Sequence, residues 1–145
     1  MVENLALATD GSDYWRDTLA SQGIGRVYTW TAAMRLSAAG SDTTWWGGSL
    51  PRQGVCPTGW HVASDSEWLS LGMAAQSDSF RSKASDDTYY GGTCYWSSSE
   101  YSKDGAWGLS VFSLARTSDG GPLAMTRNFY RKNYMRLYVR CVEDR

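Results

Sequence analysis

The chain has 145 residues and a formal net charge of −1, enough length for one domain with its own core and a balance that argues against a charge-driven nucleic-acid binder. No run approaches the roughly 18 apolar residues of a membrane span, and the opening Met1-Val2-Glu3-Asn4-Leu5 has neither the basic nor the apolar region of a signal peptide. Eight Trp and nine Tyr against three Phe, with 15 Gly and only 3 Pro, point to many turns and to side chains that suit both hydrogen-bonded cores and binding surfaces.

Residues 1–24 read as a polar, irregular segment with a turn at Asp10-Gly11-Ser12-Asp13. Gly25-Arg26-Val27-Tyr28-Thr29-Trp30 alternates as a short strand does. Thr31 then reads as the N-cap of a helix through Ala32, Ala33, Met34 and Leu36, closed by Gly40. Residues 41–54, with Trp45-Trp46-Gly47-Gly48, have no period and read as a loop. Trp60-His61-Val62 is a short strand. Ser64 with Glu67 three residues on forms a capping box, and Asp65 adds negative charge to the first helical turn. That helix is expected to reach Ala75, burying Trp68, Leu71 and Ala75, with Leu69 and Met73 flanking. Residues 76–93 are Ser- and Asp-rich and read as a long surface loop.

The last third carries strand signal at 95–98, 107–114, 123–128 and 135–142, broken by turns at 103–105 and 118–121. In the final segment alternation sends Met135, Leu137, Val139 and Cys141 one way and Tyr134, Arg136, Tyr138 and Arg140 the other, the second set outward. Two short helices followed by a small, mainly antiparallel sheet with long loops is an α+β pattern, in a single domain over 1–145.

Charge is unevenly spread. Residues 1–102 carry 6 basic and 11 acidic side chains, net −5, and residues 103–145 carry 8 and 4, net +4. Arg127, Phe129, Tyr130, Arg131, Lys132, Tyr134, Arg136 and Tyr138 interleave cations with rings. Such a run stacks on single-stranded nucleic acid, but the mildly acidic whole favours a protein or glycan ligand, because Tyr, Arg and Trp dominate binding hot spots. Three cysteines leave one over whatever the pairing. A Cys56–Cys141 bond closing a long loop would be worth at most about 4–5 kcal/mol and leave Cys94 a free, buried thiol; spacing alone does not show the bond and also allows three reduced thiols.

Catalytic and metal signals are thin. His61 is the single histidine and reads as a buried hydrogen-bonding group. No Ser sits in a Gly-x-Ser-x-Gly elbow, and no zinc spacing exists. Asp10, Asp13, Asp86 and Asp87 offer oxygen ligands of the kind that acidic turns without calcium also show. No metal, cofactor or catalytic residue is expected.

Five ordered stretches resemble the signatures of the Fibrobacter succinogenes major paralogous domain. They are Gly25-Arg26-Val27-Tyr28-Thr29-Trp30-Thr31-Ala32-Ala33-Met34, Gly54-Val55-Cys56-Pro57-Thr58-Gly59-Trp60-His61, Ser64-Asp65-Ser66-Glu67-Trp68, Tyr95-Trp96-Ser97-Ser98-Ser99-Glu100-Tyr101 and Val139-Arg140-Cys141-Val142. The resemblance implies a C-type-lectin-like fold of Bacteroidetes-type envelope or secreted proteins and their phages. Some members are variable proteins of diversity-generating retroelements, in which a C-terminal ligand-binding surface is diversified on a fixed scaffold. The chain departs from the family in lacking its N-terminal Cys pair and in reading Tyr134-Met135-Arg136-Leu137-Tyr138 where a Ser-Tyr-Gly-Phe-Ser pattern is usual. The calcium-binding Glu-Pro-Asn, Gln-Pro-Asp and Trp-Asn-Asp signatures of sugar-binding lectins are missing, and the lone Cys94 does not supply the thiol constellation of the fold-related formylglycine-generating enzymes.

The function expected is therefore a non-enzymatic binding module with a ligand region at 107–138. Its candidate contacts are Trp107, Phe112, Leu114, Arg116, Met125, Arg127, Phe129, Arg131, Tyr134, Arg136 and Tyr138, and Cys56 and Cys141 form the scaffold disulfide. The expected partner is a protein or glycan on another cell or phage host, with no nucleic acid, and the expected location is a cell surface, the extracellular space or a phage particle. A structural envelope or phage-tip subunit and a fold-related enzyme are the alternatives.

Overall fold

The computed structural model describes residues 12–13, 26–36, 45–47, 52–71, 93–113, 123–132 and 134–145. They form eight strands and two short helices, an α+β arrangement. The strands are β1 (Ser12–Asp13), β2 (Val27–Tyr28), β3 (Trp60–Val62), β4 (Thr93–Glu100), β5 (Gly105–Ser113), β6 (Leu123–Arg131), β7 (Leu137–Tyr138) and β8 (Cys141–Glu143); the helices are α1 (Trp30–Ala33) and α2 (Asp65–Leu71). A six-stranded sheet runs in the order β1-β2-β7-β4-β5-β6, and β3 and β8 form a separate pair. The large sheet is mixed: β7 lies parallel to β4, and its other neighbours are antiparallel.

Alternation along the central strands feeds two cores, one on each face of the sheet. Tyr28, Cys94, Trp96 and Leu137 pack with Trp30, Val62, Val139 and Cys141 on one side. Val27, Tyr95 and Tyr138 pack with Ala63, Trp68, Leu109 and Val111 on the other. Three buried Trp residues serve these cores with their indole N–H groups satisfied, whereas Trp46, packed at the margin of the first core, has a buried Nε1 with no hydrogen-bond partner among the described residues. Trp30 Nε1 donates to the Ser97 carbonyl at 2.9 Å, Trp96 Nε1 to the Tyr28 carbonyl at 2.7 Å and Trp68 Nε1 to the Trp96 carbonyl at 3.1 Å. Backbone carbonyls thus let these three indoles be buried without orphaned donors.

The register of β4 shifts between Trp96 and Glu100. That irregularity in Ser97-Ser98-Ser99 turns groups outward to other elements: Ser98 N–H donates to the Ala63 carbonyl at 2.9 Å, and Ser99 Oγ accepts the Asp65 N–H at 3.2 Å. The expected capping box is present. Glu67 N–H donates to Ser64 Oγ at 3.3 Å, and Ser64 N–H to Glu67 Oε2 at 2.8 Å. Cys56 and Cys141 are bonded, which ties the turn before β3 to β8, and Cys94 is a buried thiol that takes part in no disulfide. Gly54 has φ +53, and a Cβ there would lie 2.2 Å from the Ala33 carbonyl oxygen, so only glycine lets this turn close on the end of α1.

Several expectations are corrected. Ser12–Asp13 is a strand paired with β2 rather than part of a turn. The cap of α1 is Thr29, whose Oγ1 accepts the Ala32 N–H at 3.3 Å, while Thr31 is a buried helical residue. The helix stops at Ala33 instead of running on, with Met34 as its C-cap and Arg35 at φ 53. Leu71 is exposed rather than buried. The final strand is two short pieces, β7 and β8, separated by Val139 and Arg140. Thr93, expected in the loop at 76–93, instead opens β4. The continuation of α2 to Ala75, the rest of that loop, the turn at 118–121, Gly40, Asp10, Asp86 and Asp87 lie outside the described residues.

Candidate functional site

The β5–β6 hairpin runs in unbroken antiparallel register from Gly105↔Arg131 to Ser113↔Leu123. This sets Trp107 opposite Phe129 and Leu109 opposite Arg127, all on one face of the sheet. Toward one end that face is core, with Leu109 and Val111 buried beside Trp68 and Met125 partly buried at the margin. Toward the other end it emerges from cover. There Tyr101, just past β4, stacks on Phe129 at 4.6 Å and 12° and meets the Trp107 ring edge-on at 4.8 Å. Phe129 is 58% exposed and Tyr101 48%.

Arg127 completes the row. Its guanidinium lies 3.3 Å over the Trp107 ring and donates from Nε and Nη2 to the two Asp65 carboxylate oxygens, both at 2.7 Å. The first turn of α2 therefore aims a cation that covers the ring, and the ring in turn buttresses Tyr101 and Phe129. Three of the four side chains in the row Arg127–Trp107–Tyr101–Phe129 are rings with two side-chain torsions, and the long Arg127 side chain is fixed by Asp65 and Trp107, so the row is pre-ordered.

Of the candidate residues, Trp107, Arg127 and Phe129 are thus brought together. Met125 sits at the core margin, and Arg131 is exposed at the end of β6. Tyr134, 83% exposed, and Arg136, also exposed, lie in the segment between β6 and β7. Phe112 is in β5, with its side chain outside the described residues, as are Leu114 and Arg116. Tyr138 is a correction: it is 2% exposed, 6.2 Å from the Tyr95 ring. Arg140, also expected outward, is buried with its guanidinium 5.2 Å from that same ring. The phase of alternation is as expected, but β7 runs between β2 and β4 with a core on each face, so neither set of its side chains reaches solvent. Lys132 and Tyr130 leave the basic-aromatic run as well. Lys132 is buried against Glu100, and Tyr130 packs edge-on to Trp96 at 6.1 Å. Tyr101 and Asp65 belong to the site and were not among the candidates; Asp65 carried only a helix-dipole signal, and Tyr101 joins Phe129 only through the three-strand register.

A second polar cluster ties β3 and α2 to the C-terminal residues. His61, buried, has Nδ1 2.5 Å from Asp144 Oδ1 and Nε2 2.8 Å from Glu67 Oε1. Burial opposes charging the ring, but the hydrogen bonds and charges of Asp144 and Glu67 outweigh it and raise its pKa above the ordinary 6.5. For Glu67 burial again opposes the charged form, and bonds from Ser64 and His61 overcome it to lower the pKa from 4.5. Both ring nitrogens are thereby committed, and Ser64 Oγ donates to Glu67 Oε2 at 2.7 Å. Cys94 Sγ lies 3.2 Å from Ser110 Oγ and 3.9 Å from the Tyr130 hydroxyl. Among the described residues no group of three or more His, Cys, Asp or Glu is arranged to hold a metal ion, and no helix is long and apolar enough to cross a membrane.

No family model matches the chain, and neither a curated protein nor a solved structure is similar to it at a significant level.

Proposed function

We propose that the chain is a non-enzymatic ligand-binding domain of C-type-lectin-like fold, of the Fibrobacter succinogenes major paralogous type, whose β5–β6 face and following segment form the ligand surface. One observation carries the reading: the clamped row Arg127–Trp107–Tyr101–Phe129 leaves large aromatic area in solvent at a place where nothing in the packing of the sheet requires it. Rigid rings beside cations are the composition of a binding hot spot. The two-helix α+β architecture, and a last strand pair bound back to earlier segments by β3–β8 pairing and by the Cys56–Cys141 bond, support the fold reading. The disulfide supports an oxidising location such as a cell surface, the extracellular space or a phage particle. Exposed large residues at 129, 131, 134 and 136 on a cross-linked scaffold are the arrangement that suits a diversified variable protein.

The test is binding of the wild-type chain, Phe129→Ala and Tyr134→Ala to protein and glycan arrays and to candidate host cells. At least tenfold weaker binding by a variant, with its melting temperature kept within a few degrees, is expected; equal binding by all three overturns the reading. Sequencing the locus across a population bears on diversification. Substitutions concentrated in 107–138 favour a variable binder, and evenly spread ones favour a structural envelope or phage-tip subunit.

A further inference from the structure

The sheet order leaves β6 at an edge, with no described strand on its outer side. The direction of its backbone groups follows from the register. Lys132 N–H donates to the Asp104 carbonyl at 2.9 Å, and positions 104 and 132 continue the pairing of 105 with 131. Directly opposed residues of an antiparallel ladder alternate between exchanging hydrogen bonds and not exchanging them. Even-numbered residues of β6 therefore bond to β5, and odd-numbered ones, Met125, Arg127, Phe129 and Arg131, turn their N–H and C=O to the open edge. Those four also carry their side chains on the face of the aromatic row. Backbone hydrogen-bonding capacity and the ligand-facing side chains thus coincide at the same positions.

The occupant is constrained by charge. β6 carries two cations and no carboxylate, and Phe129 lies between them. Asp65 already holds Arg127. Arg131 has Asp104 near enough to feel its charge, with Lys103 adjacent in sequence, so that end of the edge stays net positive. A second copy of the strand is a poor fit: laid antiparallel with Phe129 on Phe129 it sets Arg127 against Arg131 twice, and with Arg127 at the centre it sets Arg127 against itself. Like charges directly opposed are destabilising, and edge cations of this kind block self-pairing. The complement is an extended strand carrying two carboxylates four residues apart, opposite Arg127 and Arg131, with an apolar residue midway between them opposite Phe129.

We propose that β6 is a docking edge for an extended acidic segment of a partner protein, which adds to the sheet as a further strand. Its main chain bonds at 125, 127, 129 and 131, its carboxylates meet Arg131 and, more weakly, the shared Arg127, and an apolar side chain between them packs on Phe129. This rests on the reading of the β5–β6 face as the ligand surface and assigns the ligand class as protein.

A displayed library of random nonapeptides, selected against the full chain with its disulfide intact, tests it, with amide exchange then measured on the complex with an enriched peptide. Enrichment of two Asp or Glu four residues apart with an apolar residue midway is expected, with at least tenfold slower exchange at the 125, 127, 129 and 131 amides. N-methylation of the peptide residues facing β6 is expected to weaken binding at least tenfold. Arg131→Glu should weaken it as much, and Arg131→Lys should keep most of it. Absence of enriched peptides, enrichment without an acidic pair spaced four apart, or protection elsewhere on the chain overturns strand docking, as does concentration-dependent dimerisation that protects the same amides without peptide. If no peptide binds but Phe129→Ala still loses binding to a glycan array, strand docking fails and the ligand surface stands; if Phe129→Ala and Tyr134→Ala both bind every array ligand as wild type does, both fall.

Discussion

Lys132 and Glu100 are both buried, with Nζ 2.6 Å from Oε1. The ammonium also donates to the Lys103 carbonyl at 3.0 Å and lies 4.7 Å from the Trp30 ring centre. Glu100 Oε1 accepts the Trp46 N–H at 2.9 Å, and Oε2 has no hydrogen-bond partner. Glu100 ends β4 and Lys132 follows β6, so the pair binds together the strand ends that flank Tyr101 and Arg131. Removing one partner of a buried ion pair costs about 3–5 kcal/mol, because the other charge is left in a poor solvent. Glu100→Gln keeps a carbonyl acceptor for the ammonium and belongs at the lower end, about 3 kcal/mol. Lys132→Met leaves a buried carboxylate with one amide donor and belongs near the upper end, about 4–5 kcal/mol. Glu100→Leu with Lys132→Met removes both charges and leaves chiefly the Trp46 N–H unsatisfied, at about 1–3 kcal/mol. The double variant is therefore expected to be more stable than either of its single parents, Glu100→Leu and Lys132→Met. Urea unfolding followed by tryptophan fluorescence, with the disulfide intact, measures each. Single-variant losses below about 1 kcal/mol, or losses that add to within about 0.5 kcal/mol in the double variant, refute the reasoning.

Breaking the Cys56–Cys141 bond, which spans a sequence separation of 85, should lower stability by about 4–5 kcal/mol by the chain-entropy relation; an unchanged urea midpoint in reductant is the contrary result. The His61 cluster should make stability depend on pH in a defined direction. A raised histidine pKa means that the folded chain binds the proton more tightly, so this stabilisation is complete below about pH 6.5 and is lost as pH rises through the folded value. The lowered Glu67 pKa adds stability that is present above about pH 4.5 and is lost as pH falls through its own folded value. Melting temperature is thus expected to fall as pH rises above about 6.5, and a His61→Gln variant showing the same fall would refute the assignment. Tyr134→Ala should change stability by no more than about 0.5 kcal/mol, whereas Tyr138→Ala should cost about 3–5 kcal/mol. Equal effects at 134 and 138 in denaturant titrations would contradict their placement on the surface and in the core.

Local chemistry was legible where a motif satisfies its own backbone. Ser64 and Glu67 close the capping box within four residues, and the Trp60-His61-Val62 strand lies between turn and cap. The cap of α1 was misplaced by two residues because Thr29 and Thr31 carry the same side chain; only the bond from Ala32 N–H to Thr29 Oγ1 separates them. Part of the candidate site was visible for a different reason. Trp107, Arg127 and Phe129 sit on strands whose alternation shows in composition, and strand 123–131 is long enough for its exposed positions to stand out. Asp65 and Tyr101 come from other elements and enter the site through register and stacking, which no local pattern encodes.

Tyr138 shows what alternation can and cannot determine. A period of two establishes that 134, 136, 138 and 140 share a direction, but whether that direction meets water depends on what covers the sheet. At Leu137–Tyr138 the strand has β2 on one side and β4 on the other, and cores fed by Trp30 and Trp68 lie above and below. Both parities are then buried, and Tyr138 and Arg140 join Tyr95 instead of solvent. Two residues earlier the chain has left the sheet, and Tyr134 and Arg136 are exposed. The basic-aromatic run from Arg127 to Arg140 is therefore divided by burial into two kinds of residue: Lys132, Tyr138 and Arg140 are buried in the scaffold, and Arg127, Phe129, Arg131, Tyr134 and Arg136 are exposed on the proposed ligand surface. The same residue types serve both purposes because Tyr and Arg each pair an apolar or planar body with a polar end, which is why composition alone could not separate them.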